Sequence, residues 1–366
     1  MDINIKFMKL AINLAKKGIG YVNPNPMVGA VIVKDEKIIG QGWHEKYGGD
    51  HAEINALKDA KLNNYSDCTL YITLEPCSHF GKTPPCSDAI IEAGFKKVFV
   101  AMLDPNPLVA GSGVEKLRNA GIDIEVGILA EEAKWLNRSF IKFITTGKSY
   151  NILKVAMSAD GFVTTEKGES QWITSEESRT EGHRLRAYSD AILVGRNTAE
   201  QDDPRLNVRN VAGRDPFRVV LDTDLKLPLT LKLFRDNTRQ KTILFCSQRV
   251  ANIPKAETLR VVGVKVEPVE LNENGSINII KVLDILAQKY KMSVIMIEGG
   301  AIVNSYFINN NLADEIQLFI APMIFGSGKK AFENVTSKYL KDVRRYKTKY
   351  VAQCGNDAHF IMVRND

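Results

Sequence analysis

The chain opens on a helical period and then changes to a strand period. In "MDINIKFMKLAINLAKKG" apolar residues recur every three or four positions, which predicts an amphipathic helix over residues 5–18. "MVGAVIVKDEKIIGQGW" reads instead as two strands joined by a short charged turn. After this hairpin, "HAEINALKDA" predicts a helix, "TLYITLEP" a strand and "CSDAIIEAG" a helix that stops at Gly94. "KVFVAML" predicts a strand, "GVEKLRNAG" a second glycine-stopped helix and "IDIEVGI" a last strand. A hairpin followed by alternating strand and helix is the pattern of a three-layer α/β domain.

A helix carrying Trp135 and Phe140 then leads to a break at "TTGKS", residues 145–149, and the pattern restarts. Strands are expected at "YNILKVAMSADG", "DAILVG", "FRVVLDT", "KTILFCS" and "VKVEPV". Helix "INIIKVLDILAQKY", strand "SVIMIEGG", helix "AIVNSYFINN" and strand "EIQLFIAP" follow, and the tail "YKTKYVAQCGNDAHFIMVRN" predicts a hairpin turning at Gly355-Asn356. Two α/β domains are expected, over residues 1–147 and 148–366.

Length agrees, since 366 residues exceed what one hydrophobic core usually organises. With 44% hydrophobic and 25% charged residues the composition is that of a soluble globular protein, and no apolar run approaches bilayer length. The first helix mixes Lys6, Lys9 and Asn13 into its apolar face and no small-residue cleavage site follows, so a cytoplasmic protein is expected. The net charge of +6 is spread thinly, 18 basic against 17 acidic residues up to residue 150 and 31 against 26 after it. That is too weak for a duplex-binding surface and suits a small anionic ligand.

The stretch "EPCSHFGKTPPC" places Cys77 and Cys86 at the ends of a proline-stiffened loop, where a disulfide, a metal site and a plain surface loop are the alternatives. In a reducing compartment the odd set Cys68, Cys77, Cys86, Cys246 and Cys354 is a poor disulfide framework, which favours a metal. One imidazole from His51 and two thiolates suit zinc, with a fourth tetrahedral position left for water. Cys86 stands at a helix start, where backbone N–H groups and the helix dipole favour a thiolate. Glu53, two residues from His51, is expected to be the proton carrier rather than a ligand. Singly, each of these residues reads as an ordinary buried or capping side chain, but the order H-x-E, Pro-Cys, Cys is the signature of zinc-dependent base deaminases. A structural zinc site with His79 as fourth ligand is the competing reading.

The first domain resembles the deaminase half of the bifunctional riboflavin-biosynthesis deaminase/reductase family. The resemblance is carried by the eight residues between the cysteines, by "NPNPMVGAVIV" and by "GWHEKYGGDHAE". It implies a cytidine-deaminase-like fold, Asn25 on the pyrimidine, and His44, His79 and Lys82 near the ribose phosphate.

In the second domain no G-x-G-x-x-G occurs, and the glycines of "IEGGAIVNSYF" at a strand-to-helix turn can cradle a phosphate or simply make the turn. Arg186 and Arg209 suit a phosphate or are surface charges, and Trp172 by itself reads as core. Residues 150–366 resemble the reductase half of the same family through "KVAMSADG", "SQWITS", "HRLRA", "VGRNTAEQDDPRLNVR" and "EGG". This implies a dihydrofolate-reductase-like α/β fold. It also implies NADPH contacts at Ala156, Trp172, Thr198, Asp202, Thr223, Gly300, Ala301, Ile302, Val303, Asn304, Ser305 and Tyr306, Thr223 standing where the family often has serine. Substrate contacts are implied at Lys154, Ser170, Arg186, Leu206, Arg209 and Glu298.

The expected function is hydrolytic deamination of 2,5-diamino-6-(5-phosphoribosylamino)pyrimidin-4-one, followed by NADPH reduction of the ribosyl group. Zn²⁺ and NADPH are the expected cofactors, and small phosphoribosyl pyrimidines the partners, with no nucleic acid and no membrane. A homo-oligomer is the prior for such enzymes. A nucleic-acid-editing deaminase and a zinc-stabilised scaffold are the rivals.

Overall fold

The first helical run folds as α1 (Ile3–Ala15), shorter than its period suggests because Lys16–Gly18 tighten into a 3-10 turn. The hairpin follows as β1 (Gly29–Lys34) and β2 (Lys37–Trp43), then α2 (Ala52–Ala60), β3 (Thr69–Ile72) and α3 (Cys86–Ala93). β4 (Lys97–Val100), α4 (Ser112–Asn119) and β5 (Asp123–Val126) complete the alternation. The five strands form one sheet in the order β2-β1-β3-β4-β5, antiparallel around β1 and parallel from β3 to β5. Strand glycines set how closely helices approach it. A Cβ on Gly29 would lie 2.0 Å from the Ala11 carbonyl oxygen of α1, and one on Gly42 2.2 Å from that of Ala52 in α2. Gly42 pairs with Ala30, the neighbour of Gly29, so the two helices cover opposite faces and the domain has three layers.

The computed structural model describes residues 2–80, 84–107, 109–236 and 241–365, and the chain divides into two compact units with the boundary between Lys148 and Ser149. The helix expected around Trp135 and Phe140 is two helices, α5 (Ala130–Leu136) and α6 (Arg138–Thr146). Between them Asn137 is fully buried with φ −98° and ψ 16°. Its side chain accepts the Met27 N–H at 2.8 Å and donates to the Met27 carbonyl at 2.9 Å. A pair of tertiary hydrogen bonds takes this residue off the helical path, which periodicity cannot reveal.

The second unit begins with β6 (Tyr150–Ser158), β7 (Phe162–Thr164), α7 (Glu176–Tyr188), β8 (Ala191–Gly195) and α8 (Arg196–Asp202). β9 (Phe217–Leu221), α9 (Lys232–Arg235), β10 (Thr242–Ser247), α10 (Pro254–Val261), β11 (Lys265–Val269) and α11 (Ile279–Gln288) follow. The last elements are β12 (Val294–Ile297), α12 (Ala301–Asn309), β13 (Glu315–Ala321), β14 (Lys329–Lys330), β15 (Tyr346–Cys354) and β16 (Asp357–Arg364). Nine strands lie in the order β11-β10-β9-β8-β12-β6-β13-β16-β15. The run from β11 to β13 is parallel, and the tail hairpin closes the edge antiparallel.

Alternate residues of β8 enter two cores, Ala191 and Leu193 on one face, Ile192 and Val194 on the other. Burial on both faces is why these strands read as unbroken apolar runs. The short β7–β14 pair and the polar-rich helix α7 carried no such signal. No described helix is long and apolar enough to cross a membrane, and all five cysteines are free.

Candidate active sites

In the first unit, His51 is the extended residue that starts α2, and Cys86 is the first residue of α3. Both helix starts point at one place. His51 Nδ1 lies 3.2 Å from Cys86 Sγ and 3.6 Å from Cys77 Sγ. Among the described residues these three form the one group able to hold a metal, with donor atoms within 4.8 Å of one another. A tetrahedral zinc with N and S ligands at about 2.0 and 2.3 Å sets its ligands roughly 3.5 Å apart, so the residues fit that ion. His79 and Glu53 stand outside the group, which leaves a three-ligand set rather than the four of a structural site.

The backbone N–H at the start of α3 is directed differently from the sequence expectation. It donates from Cys86 to Cys77 Sγ at 3.2 Å, so the helix terminus serves the other sulfur. The Cys77 thiol is pushed down to about 4, chiefly by the hydrogen bond from the Cys86 thiol and, against the cost of burial, by His51. The Cys86 thiol is raised by the same bond seen from the donor and by burial. Glu53, in the first turn of α2, is 4% exposed, and burial pushes its carboxyl up to about 7 against the opposing His51.

These groups open into a cavity of about 310 Å³ lined by Asn25, His44, His51, Glu53, Cys77 and His79, among others. His44 donates from Nδ1 to the Asp50 carbonyl at 2.9 Å, which leaves Nε2 to accept from Asn25 Nδ2 at 3.4 Å. Burial lowers the His44 pKa, so a neutral ring holds Asn25 in place.

In the second unit, Arg186 of α7 and Glu298, just past β12, form a two-point ion pair. Lys154 of β6 stands in the same charged group; burial lowers its pKa while Glu298 opposes and Arg186 adds to the fall. His183, one turn before Arg186, is also buried and is pushed down to about 4 by burial, Arg186 and Arg209. Arg186 Nη1 reaches the Asn207 carbonyl at 3.3 Å, and Arg209 Nη1 the Asn207 side-chain oxygen at 3.0 Å. Nearby in sequence to these motifs, Ser170 donates to Asp202 at 3.4 Å, and the Asp202 carboxyl is raised by burial against that bond. At the start of α12 a Cβ on Gly300 would lie 3.2 Å from Thr198 Oγ1, so the turn and α8 are adjoining walls.

The family model described as "RibD C-terminal domain" matches residues 149–360, and that of the "cytidine and deoxycytidylate deaminase zinc-binding region" matches residues 1–102. Riboflavin biosynthesis protein RibD of Aquifex aeolicus is 44% identical over 97% of both chains. The chain belongs to the RibD family. The RibD of Escherichia coli is 35% identical over 98% of both chains. The structure titled as a diaminohydroxyphosphoribosylaminopyrimidine deaminase/5-amino-6-(5-phosphoribosylamino)uracil reductase of Thermotoga maritima is 36% identical, with a TM-score of 0.88 over 99% of both chains. A RibD structure of Acinetobacter baumannii is 37% identical, with a TM-score of 0.87 over 100% of this chain and 99% of that one.

As a member of the RibD family, the chain has a cytidine-deaminase-like first domain and a reductase second domain. The expected first-domain residues come together in one cavity, except Lys82, which lies outside the described residues, and Cys86, which is buried beside it. In the reductase unit the outcome is mixed. Leu206 is 2% exposed, its side chain packed in the apolar core and its backbone at φ 52°. Val303, Asn304 and Ser305 face inward: Val303 is in the core, Asn304 donates to the Ala331 carbonyl, and Ser305 accepts the Glu333 N–H. Ala301 is buried, Ile302 is 66% exposed and Tyr306 packs on the core edge.

Gly299 is required by packing, because a Cβ there would sit 2.6 Å from Val303 Cβ. Ala156 packs against the core, and Thr223 follows β9 with its carbonyl accepting the Ser247 N–H at 2.9 Å. Trp172 is not core: it is 62% exposed, with the Arg179 guanidinium 4.7 Å above its ring. The alternative of a surface charge does not hold for Arg186, whose Nε–Nη2 edge is engaged by Glu298, which leaves Arg209 as the less committed guanidinium.

Sequence reasoning missed Glu75, Asp104 and Phe140, which also line the deaminase cavity. Glu75 is 5% exposed and accepts four backbone N–H bonds. Asp104 and Gly111 bond one oxygen, each at 2.9 Å, and Gly113 and Val114 the other at 2.8 and 3.1 Å. It ties the strand end that carries Cys77 to the start of α4. The signal available was a carboxylate at the end of the apolar strand run "TLYITLEP", which demands partners if it is buried.

Proposed function

We infer that the chain performs two steps of riboflavin synthesis, a hydrolytic deamination in its first unit and a nicotinamide-dependent reduction in its second. The substrate assigned to the first is 2,5-diamino-6-(5-phosphoribosylamino)pyrimidin-4-one, and its product, 5-amino-6-(5-phosphoribosylamino)uracil, is the substrate of the second. The observation that carries the reading is the His51, Cys77 and Cys86 donor set beside a cavity with a buried Glu53.

Zinc held by those three residues would supply the Lewis acidity that makes water nucleophilic near neutral pH. Glu53, buried beside the donor set, takes a proton on its carboxylate and returns it to the departing amino group, so that a C–O bond replaces a C–N bond and ammonia leaves. Asn25 orients the pyrimidine, His79 and Lys82 are assigned to the ribose phosphate, and His44, expected there too, has both ring nitrogens engaged and acts by holding Asn25.

NADPH is assigned as the hydride source of the second step. Arg209 is assigned to the substrate phosphate, and the Lys154, Arg186 and Glu298 group to orienting the ribosyl carbon that is reduced. Ser170 is assigned to the substrate, and Asp202, the turn at Gly300 and the face of Trp172 to the site's cofactor side. Five free cysteines fit a cytoplasmic location.

The test is incubation of the purified protein with the diaminopyrimidine phosphate, first alone and then with NADPH or NADH. Ammonia and the aminouracil should form without cofactor, and the ribityl product only with it. Reduction of the diaminopyrimidine before any ammonia release would reverse the proposed order.

A further inference from the structure

Between the two family matches lie residues 103–148, a stretch that neither covers. It is not a passive connection, because it supplies Asp104 and Phe140 to the wall of the deaminase cavity. Phe140 comes from α6, and it is half-buried rather than part of the core. It stands three residues after Asn137, close to one helical turn. Asn137 is the residue whose side chain makes the reciprocal pair of hydrogen bonds with the backbone of Met27. Met27 in turn lies between Pro26 and Val28, which line the same cavity with Asn25. The hydrogen bonds therefore fix the start of α6 against the segment that carries Asn25, and the next turn presents Phe140 to the cavity.

We propose that Phe140 is a substrate-contacting residue of the deaminase, its ring giving the apolar wall on which the pyrimidine lies, and that Asn137 is the positioning residue that sets it there. The polar side of the cavity already holds Asn25, His44, His51, Glu53 and His79. An aromatic base also needs a surface for its π face, and a phenyl ring offers one without a competing hydrogen bond. A stacking contact binds the ring as a whole and makes no bond or charge contact to the atoms that react, so it contributes nearly equal binding to ground and transition states. This inference rests on the deaminase reading above, and it locates part of the substrate selectivity outside the zinc-binding region common to other deaminases.

The experiment uses the full chain, with the reductase in the same polypeptide as an internal control. Phe140→Ala should raise the deaminase KM for the diaminopyrimidine phosphate about tenfold or more, with a much smaller change in kcat. Phe140→Leu, which keeps apolar volume but not the ring, should raise KM less, and Phe140→Tyr should recover most of the affinity lost in the alanine variant. Zinc content and NADPH oxidation with the aminouracil should match the parent in all three.

Asn137→Asp keeps an acceptor for the Met27 N–H but loses the donated bond, so KM should rise, and adding it to Phe140→Ala should cost little more. KM values within twofold of the parent in both the alanine and leucine variants overturn the inference, as does loss of zinc in all the Phe140 variants. A parent protein that releases no ammonia overturns the deaminase reading and this inference with it, whereas an active parent with unchanged variants overturns this inference alone.

Discussion

Arg186 and Glu298 lie edge to edge, Nε donating to Oε1 and Nη2 to Oε2, both at 2.7 Å, with side chains 15% and 14% exposed. Burial by itself would raise the Glu298 carboxyl, but Arg186, and after it Lys154 and His183, outweigh burial and hold it at about 2. Against the ordinary value of 4.5 the folded state is thus stabilised above that pH, and the contribution is lost as pH falls toward 2. Glu298→Gln leaves a buried guanidinium without its counter-charge and should cost roughly 3 kcal/mol. Thermal melts of the full chain at neutral pH should show the reductase transition shifted down while the deaminase transition stays. An unshifted reductase transition would contradict the pair's assigned role in stability.

His183 should titrate in a higher window. Its ring is pushed down to about 4 from an ordinary 6.5, so the unfolded chain binds the proton first. Stability is full above pH 6.5 and falls progressively as pH drops through 4, by on the order of 3 kcal/mol. His183→Gln removes the titrating group and should flatten stability between those two pH values, and because His183 also helps hold the Glu298 carboxyl down, the Glu298 window should move slightly upward. Denaturant titrations at several pH values would show this, and an unchanged slope in the variant would exclude His183 as its source.

Glu53→Gln should keep about one zinc per chain while deamination falls by orders of magnitude, because the ligands persist and only the proton carrier is lost. Cys77→Ala or Cys86→Ala should lose the metal itself, since three protein ligands are the minimum for a catalytic site. Metal analysis beside ammonia release separates the two classes. A Glu53→Gln protein with near-parent turnover, or a cysteine variant with full zinc content, would remove that residue from its role.

A chain beginning at Ser149 should fold alone, as the second unit has its own sheet with a core on each face. It should oxidise NADPH with the aminouracil phosphate, release no ammonia and be indifferent to zinc chelators. Within it Arg209→Ala should mainly raise the substrate KM, whereas Asp202→Asn should act on cofactor affinity. A fragment with native circular dichroism and no reductase activity would contradict the reductase assignment, and an unfolded one the independence of the units.

Local patterns by themselves determined the strands and most helices of the first unit, because amphipathic period and glycine stops are short-range properties. The parallel strands of the second unit were legible for the opposite reason, since burial on both faces makes them uniformly apolar. The donor set of His51, Cys77 and Cys86, with Glu53 beside it, was readable because metal chemistry restricts the residue types that can serve. Tertiary structure decided the rest. The break in the helix at Asn137 depends on Met27, 110 residues away, and the partners of Glu75 lie 29 to 39 residues ahead of it.

Whether Trp172 is core or exposed, and whether Arg186 faces solvent or Glu298, cannot be read from residue type, since both side chains are amphipathic or charged in every setting. Phe140 is the clearest instance. Its sequence context is that of any apolar residue on a helix, and only the hydrogen bonds that fix the start of α6 turn it toward the cavity. Periodicity reports which residues seek burial, but which neighbours they meet is set by long-range hydrogen bonds and close packing, and these exist only once the chain has folded.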